Sequence, residues 1–210
     1  MRALIIANGE PPSAALALGL ARAADLIVAA DGGADKALAL GVIPQAVVGD
    51  FDSASSAARA SLPPSAFHHV PNLDATDLQK SVEFVIAAGH LVLDVICAGG
   101  GRADHALGNL SVLTLFRGRA AITFHDDLFS TSLVEGSATV TGEPGTLISL
   151  VAIGRCTGVT TRGLRWDLTG YTLDFSPIGI HNELAEPSAT IACASGDLLL
   201  FQGNWVEHHR

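Results

Sequence analysis

The stretch Ala46-Val47-Val48-Gly49-Asp50-Phe51-Asp52-Ser53 is an apolar run that stops at two carboxylates separated by one aromatic residue. A short apolar run bounded by turn residues reads as a strand buried on both faces. If the chain stays extended, alternate side chains share a face, so Asp50 and Asp52 are expected to point one way and Phe51 the other. Like charges held that close cost free energy unless a cation lies between them or one carboxyl is protonated. A metal site is therefore the first hypothesis, and a loop that is merely acidic the second.

Working outward, runs of the same kind predict strands at 2–7, 26–30, 68–70 and 91–98. Helix-compatible segments at 13–23, 34–40, 54–62 and 76–88 alternate with them. Strand-helix alternation with near-continuous apolar strands predicts a mostly parallel sheet covered by helices, which binds ligands beyond the carboxyl ends of its strands. Three loops fall at that edge: Asp31-Gly32-Gly33, Asp50-Phe51-Asp52 and Gly99-Gly100-Gly101. After about Arg119 the helical periodicity stops. Short β-rich runs at 139–141, 147–152, 159–161, 172–175, 190–193 and 198–201, with turn signals at 142–145 and 195–197, predict an antiparallel β-sandwich. The expected fold class is thus α/β followed by all-β. Its expected domains are 1–119, for nucleotide, metal and catalysis, and 120–210, a β-sandwich.

Composition narrows the partners. The chain has 210 residues, 49% hydrophobic, with a formal charge of −9. That charge argues against a partner that is nucleic acid, and an anionic ligand would need a metal ion and a few placed cations beside it. No apolar run is long enough to span a bilayer, and the start of the chain does not assemble a signal peptide, so no membrane partner is expected and the expected location is cytoplasmic. Cys97, Cys156 and Cys193 lie in or beside apolar runs and read as buried small hydrophobes. His68 and His69 read as part of a strand. Trp205, His208 and His209 read as a surface tail.

The second acidic element is Asp74-Ala75-Thr76-Asp77-Leu78-Gln79-Lys80-Ser81, where Asp77 and Lys80 share a face near the start of a predicted helix. Helix capping by Asp74 or Thr76, with a surface ion pair, is the bland alternative. The third is Gly99-Gly100-Gly101-Arg102-Ala103-Asp104-His105-Ala106-Leu107-Gly108-Asn109, glycines leading into a helix start that suits phosphate. It fits neither the dinucleotide nor the Walker pattern. Arg102, Asp104 and His105 place a cation, an anion and a titratable ring in one turn, a candidate anion clamp.

These segments, in order and spacing, together with Ala30 to Leu38 and with Thr160 to Leu168, resemble the thiamine pyrophosphokinase family. The resemblance implies ATP-dependent transfer of diphosphate to the hydroxyl of thiamine, releasing AMP, by a homodimer with active sites between subunits. It implies that Asp50, Asp52 and Asp77 hold Mg²⁺, with Asp31 nearby, and that these three and Lys80 form the catalytic group. Asp31, Gly32, Lys80, Gly100, Arg102, Asp104, His105 and Asn109 become the candidate nucleotide-binding residues. Trp166 would cover the thiamine ring, and His181 and Asn182 would lie in the thiamine pocket. His181 stands where the family usually has serine. Two rivals follow: a diphosphokinase acting on another hydroxymethyl heterocycle such as a pterin, and a non-catalytic nucleotide or thiamine sensor.

Overall fold

The computed structural model describes residues 1–206, so the expected tail at His208 and His209 lies outside the described residues. The chain divides into two units, Met1–Asp127 and Leu128–Arg210.

In the first unit, strands β1 (Arg2–Ile6), β2 (Leu26–Ala30), β3 (Ala46–Gly49), β4 (Phe67–His69), β5 (Val92–Ile96) and β6 (Ala121–His125) are parallel and lie in the order β4-β3-β2-β1-β5-β6. Helices α1 (Ala14–Ala23), α2 (Gly33–Ala39), α3 (Ser56–Ser61), α4 (Asp77–Ala87) and α5 (Ala103–Leu115) connect them. The strands are apolar because they are covered: Leu4, Ile5, Ile6, Val47, Val48 and Val95 are fully buried. Each such side chain contributes about 1.5–3 kcal/mol by leaving water. A charge within this sheet must be paired. Asp94 of β5, buried, lies 2.6 Å from Arg2 Nε and 2.8 Å from His125 Nε2.

Hydroxyl caps start three of the helices. Ser13 accepts from Leu16 N, Ser55 from Ala58 N and Thr76 from Gln79 N, at 3.4, 3.1 and 3.3 Å. Chain order reverses between β1 and β5, the switch point where such sheets open a crevice. There the loops after β1 and β5 are tied together by Gly9 N–H to Cys97 O at 2.7 Å and Glu10 N–H to Gly99 O at 2.9 Å.

The second unit is antiparallel. It contains β7 (Phe129–Leu133), β8 (Ser137–Thr141), β9 (Thr146–Arg162), β10 (Tyr171–Leu173), β11 (Asn182–Glu183), β12 (Ser188–Ala192) and β13 (Ser195–Val206). Strand β9 pairs with β13 between Thr146 and Thr157, with β11 at Leu147 and Ile148, and with β12 from Thr160 to Arg162. Side chains from both groups, among them Val140, Ile148, Leu150, Ile191 and Leu198, form one core cluster.

Several sequence expectations change here. The runs at 147–152 and 159–161 are one strand of 17 residues. Gly154 and Gly158, in the gap between the two expected runs, take φ of 82° and 65° within the continuous strand. Strands β6 and β7 were not anticipated. Residues 195–197 are not a turn but the start of β13, with a register shift between Ser195 and Asp197. Trp205 belongs to β13 rather than to a tail, its ring 5.1 Å from that of Phe129. Cys97, Cys156 and Cys193 are all buried, and none is in a disulfide among the described residues. Among the described residues no helix is long and apolar enough to cross a membrane.

Candidate active site

Parallel strands ending side by side bring three carboxylates and one ammonium to the carboxyl edge of β2 and β3 and the first turns of α4. Asp31 ends β2 in a left-handed conformation, φ 41°. It is 1% exposed, and its carboxylate accepts the backbone N–H groups of Ser53 at 3.1 Å and Ala54 at 2.9 Å. Burial pushes its pKa up from the usual carboxylate range, against the pull of those two amides. The amides also draw the loop after β3 back across β2.

That loop is not extended, so the expected shared face of Asp50 and Asp52 does not form. Phe51 has φ 68°, and Asp52 N–H turns back to Asp50 Oδ1 at 3.4 Å. The Phe51 ring packs 5.4 Å from Phe67, which offsets the strained backbone with buried apolar contact. Asp50 reaches the cluster. Asp52 accepts from Ser53 Oγ at 2.7 Å and acts on Asp31 from beside it. One ligand atom each from Asp31, Asp50 and Asp77 lies within 4.8 Å of the others. Gly49 leaves the space for this: a Cβ there would stand 2.8 Å from Asp31 Cβ and 3.2 Å from Asp77 Oδ1.

Thr76, not Asp74, caps α4. Asp77 is therefore free of capping duty and bonds Lys80 Nζ at 2.9 Å, while Asp50 Oδ2 lies 3.5 Å from the same nitrogen. Lys80 is 4% exposed. Burial opposes its charge, but the two carboxylates overcome this and hold its pKa above the ordinary value. The Asp52 amide, then Lys80, holds Asp50 below the usual range. Three carboxylate donors against one ammonium form an all-oxygen set with uncompensated negative charge, which suits a hard divalent cation such as Mg²⁺.

The glycine loop is open by comparison. Gly100 and Gly101 have positive φ, and Gly101 N–H donates to Glu10 Oε1 at 3.2 Å. Arg102 precedes α5 and pairs with Asp104 through Nε at 3.1 Å and Nη2 at 2.6 Å, both side chains exposed. The guanidinium holds Asp104 down at about 2. His105 is exposed, and Asn109 Nδ2 donates to Ala98 O at 2.7 Å, fixing the loop to α5. Gly32 caps α2, whose Asp35 binds the Ser55 hydroxyl and amide. Glu10 and Asp35 carried no sequence signal, since their partners lie on other loops.

In the second unit, Asn182 grips the main chain of Trp166: its Oδ1 accepts Trp166 N–H at 3.2 Å and its Nδ2 donates to Trp166 O at 2.8 Å. His181 has φ 64°, and its N–H donates to Ser149 Oγ at 2.9 Å.

Comparison with known proteins fits both units. Residues 18–124 match the family model for the thiamin pyrophosphokinase catalytic domain, and residues 138–198 match that for the thiamin pyrophosphokinase vitamin B1 binding domain. The chain belongs to the thiamine pyrophosphokinase family. Membership makes it an enzyme of the thiamine diphosphokinase class. Thiamine pyrophosphokinase 3 of Oryza sativa subsp. japonica is 25% identical over 182 residues, 79% of this chain and 67% of that protein. Thiamine pyrophosphokinase of Bacillus subtilis is 31% identical over 91 residues, 42% of each. Among solved structures, the Bacillus subtilis thiamine pyrophosphokinase superposes with a TM-score of 0.83 at 23% identity, covering 97% of this chain and 99% of that one. Thiamin pyrophosphokinase from Candida albicans gives 0.84 at 17% identity, covering 98% and 89%. Their fold is the fold described above.

Proposed function

We propose that this thiamine pyrophosphokinase family member transfers diphosphate from ATP to the hydroxyl of thiamine, releasing AMP. The observation that carries the reading is the convergence of Asp31, Asp50 and Asp77 around Lys80 at the carboxyl edge of the sheet. Held by Asp31, Asp50 and Asp77, with Asp52 beside them, Mg²⁺ would neutralise phosphate charge and fix the orientation of the transferred group. Lys80, anchored on Asp50 and Asp77, holds a cation at the edge of the cluster. Arg102 is exposed and exchanges its carboxylate partner for a phosphate oxygen at little cost, because an exposed ion pair contributes only about 0–1 kcal/mol. Gly32, Gly100, Asp104, His105 and Asn109 shape the loops around the nucleotide. In-line attack by the thiamine hydroxyl on the β-phosphorus then needs alignment and charge stabilisation rather than a covalent enzyme intermediate.

In this reading Trp166, His181 and Asn182 belong to the thiamine subsite. An indole suits a flat permanent cation. A homodimer with active sites between subunits, acting in the cytoplasm, belongs to the same reading and rests on the family resemblance, with thiols outside any disulfide in keeping with a reducing compartment. The test is AMP release from ATP and Mg²⁺ with thiamine, a hydroxymethyl pterin or no acceptor. Thiamine-dependent AMP formation supports the proposal. Turnover of the pterin alone moves the substrate, and absence of AMP with either acceptor leaves a sensor.

A further inference from the structure

Arg165 and Glu183 do something to Trp166 that the thiamine reading alone does not require. The Arg165 guanidinium carbon lies over the indole, 5.0 Å from the ring centroid. Its Nη1 is 2.5 Å from Glu183 Oε1, and Glu183 is 7% exposed, anchored in β11. Arg165 N–H also donates to Glu183 O at 3.0 Å. The Trp166 main chain is held from both sides by Asn182. Trp166 is nonetheless 52% exposed as a residue. A large apolar ring fixed at its backbone, covered on one face by a charged side chain and still half in solvent offers its other face.

We propose that the Glu183–Arg165 pair is a positioning device that makes Trp166 a one-faced platform for a flat cationic heterocycle. Resting on the thiamine reading, it deepens that reading. A guanidinium stacked on one face prevents the indole from turning and from taking a second ligand there. Left alone, that guanidinium would repel a thiazolium approaching the opposite face, because two cations would share one ring. Glu183 cancels this charge, so the quadrupole of the ring remains available to the ligand. Both residues act through Trp166 rather than on the substrate.

The test uses the full chain carrying Trp205→Phe, which leaves Trp166 as the single tryptophan reporter. Thiamine is titrated by fluorescence quenching alongside deazathiamine, in which a neutral thiophene replaces the thiazolium, and ATP affinity is measured separately. Arg165→Met is expected to raise the thiamine Kd about tenfold and to blunt the quench, with kcat at saturating thiamine and ATP affinity changed by less than about twofold. Glu183→Gln, which keeps the guanidinium but not its counter-charge, is expected to weaken thiamine by about tenfold and deazathiamine by less than about twofold. Should Arg165→Met not fold by circular dichroism, the Glu183→Gln contrast between the two ligands decides alone. Parent-like thiamine affinity in both variants while Trp166→Ala, which lacks the reporter and is titrated by calorimetry, has lost it overturns the positioning device and leaves the thiamine subsite standing. Parent-like affinity in Trp166→Ala as well overturns both.

Discussion

The acidic cluster and the glycine loop stand at the same edge of the same sheet, yet they are built in opposite ways. Around Asp31, Asp50 and Asp77 every charged group is fixed by a second one or by backbone amides, and Lys80 is buried among them. At Gly100 to Asp104 the backbone has positive φ at two glycines and the Arg102–Asp104 pair lies in solvent. The first is organised before anything binds. The second is free to rearrange around a ligand. This division matches chemistry in which a metal must be placed rigidly while a polyphosphate arrives and leaves.

Six substitutions separate the two. Asp50→Asn or Asp77→Asn should cut kcat by a factor on the order of 10² or more, as loss of one preorganised electrostatic contact does. Asp52→Asn should cost distinctly less, because its carboxylate stands outside the three-carboxylate cluster. Steady-state rates over a range of Mg²⁺ check this, and near-native activity of Asp50→Asn at limiting Mg²⁺ would remove the metal assignment.

Lys80→Met should lower stability by about 1–3 kcal/mol in metal-free buffer, since it leaves Asp50 and Asp77 facing each other without a cation. Added Mg²⁺ should restore part of that loss, read as a rise in Tm. If Mg²⁺ raises the parent and the variant equally, the lysine and the ion do not share a site.

Arg102→Met should raise the KM for ATP by about three- to tenfold, the range of one exposed charge-assisted contact, with a smaller effect on kcat. A kcat loss as large as that of Asp50→Asn would mean the loop is as rigidly committed as the cluster.

The smallest effect concerns pH. The folded pKa of Asp104, about 2, lies below its ordinary value of 3.8. Its contribution to stability is therefore present above pH 3.8 and fades as pH falls towards 2. Acid unfolding of Asp104→Asn should show a slightly shallower dependence on pH across that window than the parent. An unchanged slope would make the pair electrostatically silent.

Much of this was legible in the chain. Strands β2 and β3 match their predicted limits because four or five consecutive apolar residues bounded by Asp and Gly leave little choice of register. Thr76 was readable as a cap, and the spacing of Asp77 and Lys80 put them on one helix face. Strand β7, Phe129–Leu133, was not readable, since its serines and threonines suit a half-buried strand as well as a loop. Strand β9 looked like two strands because glycine signals a bend without saying whether pairing continues beyond it.

The sequence by itself determined the strand-helix alternation of the first half, the antiparallel character of the second and the supply of carboxylates at strand ends, since these follow from local apolar runs and turn residues. Tertiary structure alone decided which carboxylates meet. Asp31 joins Asp50 because β2 lies beside β3 in the sheet, a neighbour relation no local pattern encodes. Asp52 adjoins the cluster only from the side of Asp31, in a loop that turns at Phe51, φ 68°. Asn182 reaches Trp166, sixteen residues away, because β11 and the segment after β9 run together through the Leu164–Leu184 bridge. In each case the deciding force is a contact between residues far apart in the chain, which exists only once the chain has closed around it.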